Sequence, residues 1–157
     1  MDAIDVKILA CLQEDATMAV SEIAAQVGLT TSPCWNRIQR LESVGVISAR
    51  VALLDPAQLN LAATVFVAVR TNQHSSAWLN RFASTVSDFP EVVEFYRLSG
   101  EIDYLLRVVV PDIAAYDRFY KRLIDKVELA DLSSSFAMER IKYTTALPLD
   151  YVDDGRP

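Results

Sequence analysis

The stretch that decides the fold spans residues 32–47 and reads SPCWNRIQRLESVGVI. Ser32 can cap the free amide groups of a first helical turn, and Pro33 suits the first helical position because no hydrogen-bond partner is needed there. Gly45 suits the left-handed residue that ends a helix. Apolar side chains recur between them at helical spacing, at Cys34, Ile38 and Leu41. The stretch therefore predicts one amphipathic helix with a defined start and end.

The opposite face of this helix carries polar and aromatic side chains: Trp35, Asn36, Gln39, Arg40 and Ser43. Arginine can pair with guanine in the major groove of DNA, and asparagine or glutamine can pair with adenine. We expect Arg40, Gln39 and Asn36 to contact bases; the alternative is a solvated helix face. Trp35 fits either the sugar-phosphate edge of DNA or a neighbouring copy of the chain, and the sequence does not choose between them.

Residues at the flank and the entrance of the helix are candidates for phosphate contacts. Arg37 lies near the edge of the apolar stripe, where it can bind a phosphate or form a structural ion pair with Glu42 or another helix. Hydroxyl groups and backbone amides at a helix entrance suit phosphate oxygens. Hydroxyl residues stand at this entrance: Thr30, Thr31 and Ser32. Helix capping explains them equally well, and both roles can hold together.

The residues before and after this helix complete a DNA-binding motif. Residues 1–15 and 20–27 have amphipathic spacing, Ser21 is the expected cap of the second helix, and Gly28 breaks it. Two helices, a glycine-containing turn and a third helix are typical of a helix-turn-helix. Residues 46–53 are rich in β-branched side chains and predict a strand. We therefore expect a winged helix-turn-helix domain over residues 1–50; three packed helices without DNA contact are the alternative.

Composition and charge favour a globular protein that binds DNA in more than one copy. Of the 157 residues, 52% are hydrophobic and 23% are charged, as in packed domains. The net charge of −6 argues against nonspecific coating of nucleic acid. Three of the four basic residues within the first 50 fall between Arg37 and Arg50. A single copy would contact few phosphates, so useful affinity requires two or more copies on one DNA.

The same composition argues against several other classes of protein. No apolar run reaches the about 18 residues that span a bilayer, and the N-terminus lacks a basic and then apolar leader. A soluble, cytoplasmic protein without a membrane partner is therefore expected. Cys11 and Cys34 fall on inward helix faces, where burial is expected, and His74 is expected at the surface. Neither a zinc set, a catalytic triad nor a glycine-rich phosphate loop is present, so no enzyme activity and no cofactor are expected.

A second domain follows a connector at residues 51–60, where Asp55-Pro56 favours a turn. Hydrophobic periodicity predicts strands at residues 62–70, 91–98, 104–110 and 132–143, and helices at residues 75–86 and 112–127. The order βαββαβ over residues 61–147 is a ferredoxin-like unit, so the fold class is α+β. Two helices on one face leave the other sheet face open, and a second copy is the simplest cover. Residues 148–157 are expected to form a tail that is mobile at its end.

Motifs spread from residue 4 to about residue 149 occur together in a specific order. They are Ile4-Asp5-x-x-Ile8-Leu9, Ser32-Pro33-Cys34 through Arg37, Leu41-Glu42-x-x-Gly45-Val46-Ile47, Ala52-Leu53-Leu54-Asp55-Pro56 and Ser99-Gly100-Glu101-Ile102-Asp103-Tyr104-Leu105-Leu106. On these motifs the chain resembles the Lrp/AsnC family of bacterial transcription regulators, also called feast/famine regulators. The resemblance implies a winged helix-turn-helix followed by a domain that dimerises and senses small molecules, usually amino acids. It also implies that dimers associate into rings or discs, such as an octamer.

Several segments resemble one branch of this family, which controls cysteine detoxification genes. They are Val51 to Pro56, His74 to Ser76, Tyr116 to Leu123 and Ser134 to Thr145. The resemblance makes cysteine a candidate effector.

The turn from Gly100 to Tyr104 is the candidate effector site, because the matching turn of the family lies where dimers meet and amino acids bind. Asp103 can accept from the ammonium group of a zwitterion, and backbone amides near Gly100 can donate to its carboxylate. The candidate effector residues are Ser99, Gly100, Glu101, Asp103, Tyr104 and Ser134. A plain hairpin turn explains the glycine and the aspartate as well, and a polar strand face explains Ser134.

We therefore predict a sequence-specific DNA-binding transcriptional regulator that a small amino acid modulates at an interface between dimers. Its expected partners are double-stranded DNA, the amino-acid effector and further copies of itself. A ligand-binding oligomeric module whose helix-turn-helix mediates only protein contacts is the alternative. An amino-acid-processing enzyme is a second, weaker one.

Overall fold

The computed structural model describes residues 1–73 and 75–153, which form two compact units. One unit comprises residues 1–53 together with the segment that begins at Lys142, and the other comprises Leu54–Ile141. The chain therefore passes from one unit to the other twice. The expectations for His74 and for the end of the tail fall outside the described residues.

The first unit contains the three helices of the predicted helix-turn-helix: α1 at Ala3–Glu14, α2 at Val20–Val27 and α3 at Thr31–Ser43. Each helix buries one apolar face in a shared core: Ile8, Leu9, Ile23, Ala24, Val27, Cys34, Ile38 and Leu41. Gly28 and Gly45 follow α2 and α3 with φ of 74° and 77°, a left-handed backbone that favours glycine. Apolar periodicity and these glycines therefore located all three helices correctly.

The residues that precede two of these helices are not the predicted caps. The residue that precedes α3 is Thr30 and not Ser32, and the residue that precedes α2 is Ala19 and not Ser21. Pro33 therefore lies at the third position of α3, which suits it because the amides of the first turn have no partner within the helix. At α2 no side chain caps the first turn, and the Glu22 carboxylate instead accepts the N–H of Ala19 itself at 3.3 Å.

The strand predicted over residues 46–53 does not form, and the stretch is irregular. Ile47 turns back toward the helices, and its N–H donates to the Leu41 carbonyl at 3.1 Å. Further along, the side chains of Val51 and Leu53 are 72% and 61% exposed. A strand needs a neighbour for its backbone hydrogen bonds, and no described segment of this chain pairs with this stretch. The prediction of a wing strand is therefore wrong for the single chain.

The segment after Lys142 packs on α1. The Gln13 side chain holds its backbone at two points, because Nε2 donates to the Leu147 carbonyl at 3.1 Å and Oε1 accepts the Leu147 N–H at 2.7 Å. Leu149 begins a short 3-10 helix at Leu149–Tyr151 and packs against the helical core. The last part of the described chain thus belongs to the N-terminal unit.

Replacing Gln13 with alanine removes both hydrogen bonds to Leu147 and keeps a good helix former in α1. We expect the free energy of unfolding to fall by about 1 kcal/mol, measured by urea denaturation followed by circular dichroism. Glu14→Ala is the matched control, since Glu14 is the next residue of α1 and is exposed. Equal stability of the two variants would mean that the contact with Leu147 contributes nothing.

The second unit has the predicted βαββαβ order. Its elements are β1 at Ala63–Arg70, α4 at Ser76–Ser87, β2 at Val92–Arg97, β3 at Tyr104–Val110, α5 at Ile113–Lys126 and β4 at Asp131–Phe136. The strands form one antiparallel sheet in the order β2-β3-β1-β4. Ser75 caps α4, and its hydroxyl oxygen accepts the Trp78 N–H at 3.2 Å. The α+β fold class with a ferredoxin-like domain is thereby confirmed.

Strand β4 is shorter than predicted and ends at Phe136 rather than at residue 143. The cause is the register, because Phe136 lies opposite Val65 and β1 begins at Ala63. The Ala137 N–H still donates to the Thr64 carbonyl at 2.9 Å, but β1 has no residues before Ala63 that could pair with a longer β4. The apolar side chain of Met138, which follows, is 95% exposed.

Both helices of the second unit pack on one face of the sheet. Alternate residues of β1 point toward them and are fully buried: Val65, Val67 and Val69. The opposite face is open, and its aromatic side chains Phe66 and Tyr96 are 39% and 50% exposed. An ion pair between Arg107 and Glu94, at 2.6 Å, lies on this face. The sheet therefore has one buried side and one accessible side.

Candidate DNA-binding and ligand-binding sites

The outward side of α3 presents the residues predicted to contact DNA. The exposed ones are Thr30, Thr31, Ser32, Trp35, Asn36, Gln39 and Arg40. Arg37 is half-buried at the edge of the apolar stripe. All of them lie on α3 or directly before it, so the structure brings them together on one surface. A single helix of this kind fits the major groove.

A carboxylate buried beneath this surface connects α3 to α1. The Asp5 side chain is fully buried, and it accepts hydrogen bonds from Arg37 at 2.8 Å and from Arg40 at 2.5 Å. Arg37 also pairs at 2.7 Å with Asp2, the residue that caps α1. Arg37 thus forms a structural ion pair with another helix, and its partners are Asp2 and Asp5 rather than Glu42.

The Glu42 carboxylate has other partners. It accepts from the Gln39 amide at 2.9 Å and from the Arg50 guanidinium at 2.7 Å. The side chain of Arg40 is 55% exposed and that of Arg37 only 29%. Of these two arginines on α3, Arg40 therefore has the guanidinium more accessible to a ligand.

The sequence carries a signal for the buried carboxylate in the apolar stripe of α1. Asp5 precedes Ile8 and Leu9 by three and four positions, so it occupies the face that α1 buries. A charge on such a face needs a partner of opposite charge or several hydrogen bonds. Sequence reasoning missed Asp5 because its partners lie on a helix more than 30 residues away.

The environment of Asp5 keeps this group ionised. Burial raises the pKa of Asp5, because a carboxylate loses its hydration, but hydrogen bonds from the Asp2 N–H, Arg37 and Arg40 outweigh burial. The pKa of Asp5 therefore lies below its usual value of 3.8. The carboxylates of Asp2 and Asp5 in turn raise the pKa of Arg37. At neutral pH the cluster is fully charged.

Asp5 stabilises the fold only while it is ionised. Because its pKa is lower in the folded than in the unfolded chain, this stability is fully present above pH 3.8 and is lost as the pH falls through the folded value. We expect the difference in unfolding free energy between wild type and Asp5→Asn to be constant at neutral pH and to shrink below that value, by urea denaturation. Asp88→Asn, which removes an exposed carboxylate, is the control. A difference that grows on acidification would contradict the assignment.

The turn between β2 and β3 carries most of the predicted effector residues. Ser99, Gly100 and Glu101 are exposed, and Asp103 is half-buried. The Thr71 N–H donates to Asp103 Oδ2 at 2.8 Å. The backbone of Asp103 also bonds to both neighbouring segments, since its N–H donates to β1 and its carbonyl accepts from the end of β2. Asp103 therefore fixes this turn to the end of β1.

Two predicted effector residues lie in other surroundings. Tyr104 is only 5% exposed, and its ring packs with Phe82 and Phe95 in the core. Ser134 lies on β4, separated from β3 by β1, and its hydroxyl forms a hydrogen bond with the Tyr116 hydroxyl of α5. Within one chain the structure brings the turn residues together, but it does not bring Ser134 to them.

The two cysteines are free thiols. Cys34 is fully buried in the helical core, and burial raises the pKa of its thiol. Cys11 is half-buried and donates to the Gln26 side chain at 3.4 Å. Over residues 1–73 and 75–153, no group of three His, Cys, Asp or Glu residues is arranged to hold a metal ion. No helix in the same ranges is both long enough and apolar enough to cross a membrane.

The three-helix unit with an exposed third helix, joined to a ferredoxin-like domain, defines a helix-turn-helix DNA-binding protein of two domains. Family models divide the chain in the same way: the AsnC-type helix-turn-helix domain matches residues 1–42, and the Lrp/AsnC ligand binding domain matches residues 64–147. The chain belongs to the Lrp/AsnC family of transcriptional regulators.

Individual relatives match over nearly the whole chain. The DNA-binding transcriptional activator DecR of Escherichia coli K12 is 52% identical, with 96% of this chain and 99% of the relative covered. The glutamate uptake regulatory protein of Zymomonas mobilis is 49% identical over 98% of this chain and 94% of its own length. Among solved structures, an AsnC family regulator from Agrobacterium tumefaciens has 66% identity and a TM-score of 0.94, covering 96% of this chain and 99% of its own. A Neisseria meningitidis regulator in complex with L-Met has 36% identity and a TM-score of 0.91, covering 96% and 97%.

These relationships identify the general function. The chain is a DNA-binding transcriptional regulator of the Lrp/AsnC type, and its second domain is the ligand-binding domain of that family. Since its relatives are transcriptional regulators, it is not an enzyme. The prediction of a DNA-binding transcriptional regulator with an amino-acid ligand-binding domain is thereby confirmed.

Proposed function

We propose that α3 contacts the operator with Arg40, Gln39 and Asn36 at base edges. Thr30, Thr31, Ser32 and Trp35 meet the sugar-phosphate backbone in this proposal. The observation that carries it is the exposure of this side of α3, while Cys34, Ile38 and Leu41 on the other side are buried. Arg37 forms ion pairs with Asp2 and Asp5 and so stabilises the helix. It lies at the edge of α3, where in this proposal it faces a phosphate.

Two copies bind one operator in this proposal. The first 50 residues contain four basic and six acidic residues, so one helix-turn-helix attracts DNA weakly. The open sheet face, with Phe66 and Tyr96 exposed, supports a dimer built on the second domain. A twofold dimer sets two α3 helices in successive major grooves, about one helical turn apart. Dimers associate further, into an octamer, and the protein works in the cytoplasm, where the DNA is.

A small amino acid is the proposed effector, bound at the turn from Ser99 to Asp103 where dimers meet. The exposed Ser99, Gly100 and Glu101 and the charge of Asp103 support this site, and the Neisseria meningitidis relative was crystallised with L-Met. Tyr104 follows the turn directly, with its ring buried beneath the site in this proposal. Ser134 reaches the site only from another copy of the chain. Cysteine is the first effector to test, because of the resemblance to the cysteine-detoxification branch. The effector acts by binding one assembly better than another.

Replacing Arg40 with alanine tests DNA contact by α3. We expect affinity for a duplex selected by the wild-type protein to fall tenfold or more, in line with about 1–3 kcal/mol for an arginine that pairs with guanine. Fluorescence anisotropy at fixed salt measures this. Arg118→Ala is the matched control, since it removes one exposed positive charge from the second domain. If both variants bind alike, Arg40 does not contact bases.

Replacing Asp103 with asparagine tests the effector site without dismantling the turn. The amide oxygen can still accept the Thr71 N–H, but the negative charge that would hold an ammonium group is lost. We expect calorimetry under reducing conditions to show at least tenfold weaker binding of L-cysteine, or of the amino acid that most raises the melting temperature in a screen of all twenty. Asp125→Asn, on the exposed side of α5, should bind normally. Unchanged affinity of Asp103→Asn would remove this residue from the site.

A further inference from the structure

We propose that Asp5 is a positioning residue for operator recognition, because it fixes the Arg40 guanidinium in one orientation before DNA arrives. Asp5 lies on α1 and is fully buried, so it has no route to DNA. It reaches the DNA-facing surface only through Arg40, whose side chain is 55% exposed. The inference rests on the proposed role of Arg40 and adds a second residue to the determinants of specificity.

The carboxylate of Asp5 is itself held in place from both sides. Oδ1 accepts from Arg37 at 2.8 Å, while Oδ2 accepts from Arg40 at 2.5 Å and from the Asp2 N–H at 3.1 Å. Rotation of the carboxylate would break all three hydrogen bonds. Arg40 is therefore attached to a rigid acceptor on another helix.

This attachment leaves Arg40 able to bind a base. A guanidinium has five N–H donors, and Asp5 uses one donor of the Arg40 NH2 group. Bidentate recognition of guanine needs only two of the others. A free arginine loses rotamer entropy when it is ordered on binding, so an arginine that is already ordered loses less.

The charges of the cluster predict where the effect appears. Asp2, Asp5, Arg37 and Arg40 together carry no net charge, so the cluster adds little to general attraction for phosphates. Asp5→Asn removes one negative charge and so makes the net charge of the DNA-binding unit one unit more positive. If Asp5 only held Arg40 away from DNA, Asp5→Asn would bind every DNA sequence more tightly. If Asp5 positions Arg40, the variant loses affinity for the operator alone.

The experiment compares a selected duplex with a scrambled duplex of the same length, by fluorescence anisotropy at fixed salt. For Asp5→Asn we expect about tenfold weaker operator binding and scrambled-duplex binding that is equal or slightly tighter. Asp2→Asn is the matched control, because asparagine caps helices as well as aspartate and Asp2 does not touch Arg40. It should keep operator affinity within about threefold. Equal losses on both duplexes, or no loss on the operator, would overturn the proposal.

A double-mutant cycle separates positioning from a structural effect. In an Arg40→Ala background, Asp5→Asn should cause no further loss on the operator, because the residue through which it acts is gone. Additive losses would mean that Asp5 acts through the fold, and would reject the proposal. Normal operator binding by Arg40→Ala alone would reject the base contact and the positioning role together. Normal operator binding by the single variant Asp5→Asn would reject only the positioning role of Asp5.

A measurement on the wild-type protein applies if Asp5→Asn does not fold. Nitrogen-15 relaxation of arginine side chains in the protein free of DNA compares Arg40 with Arg118, which is exposed and forms no ion pair within the described residues. The Arg40 side chain should be ordered on the nanosecond timescale and that of Arg118 mobile. Equal mobility would overturn the proposal.

Discussion

The charge of Asp5, enclosed between α1 and α3, constrains the geometry of the DNA-binding unit. A carboxylate removed from water is strongly unfavourable unless hydrogen-bond donors surround it. Here the donors come from Arg37 and Arg40 of α3 and from the backbone of Asp2. The same contacts that compensate for burial fix α1 against the helix that faces DNA. Stability and the arrangement of the DNA-contacting surface therefore depend on one set of hydrogen bonds.

A different constraint acts on the second domain, because helices cover its sheet on one face only. Helices α4 and α5 enclose Val65, Val67 and Val69, while Phe66 and Tyr96 on the other face are exposed. Apolar side chains are also exposed in two irregular stretches, 46–53 and the residues after β4. Each of these places exposes large apolar side chains, among them Phe66, Val51 and Met138. This distribution is typical of a protein that functions as an assembly of copies.

The two passages of the chain between its units give the second domain two covalent connections to the DNA-binding unit. One connection runs through the connector that follows Leu53. The other leads from β4 to the C-terminal segment, which Gln13 binds and which packs on the helical core through Leu149. Strand β4 pairs directly with β1, and β1 bonds through Val69 and Thr71 to the turn that carries Asp103. A ligand at this turn would thus act on a sheet whose last strand continues into the helix-turn-helix unit.

The amino-acid sequence by itself determined those elements that depend on the local spacing of apolar residues and on residues, such as glycine, that end a helix. The three N-terminal helices, two of which are followed by Gly28 and Gly45, and the βαββαβ order follow from apolar spacing, because these features are encoded within a few residues of each other. The exposed face of α3 follows for the same reason. The caps of α2 and α3 were each misplaced by two residues, because the apolar spacing that locates a helix does not fix its first residue.

Only the tertiary structure decided which distant residues meet. The partners of Asp5 and the attachment of Leu147 to Gln13 join positions more than 30 and more than 130 residues apart, which periodicity does not reach. The length of β4 and the absence of a strand at residues 46–53 depend on whether a neighbouring strand is present, and β propensity does not supply one. Ser134 is separated from the turn at Asp103 because an intervening strand lies between them. Pairing is a property of the folded chain, since a backbone hydrogen bond or an ion pair requires both of its members.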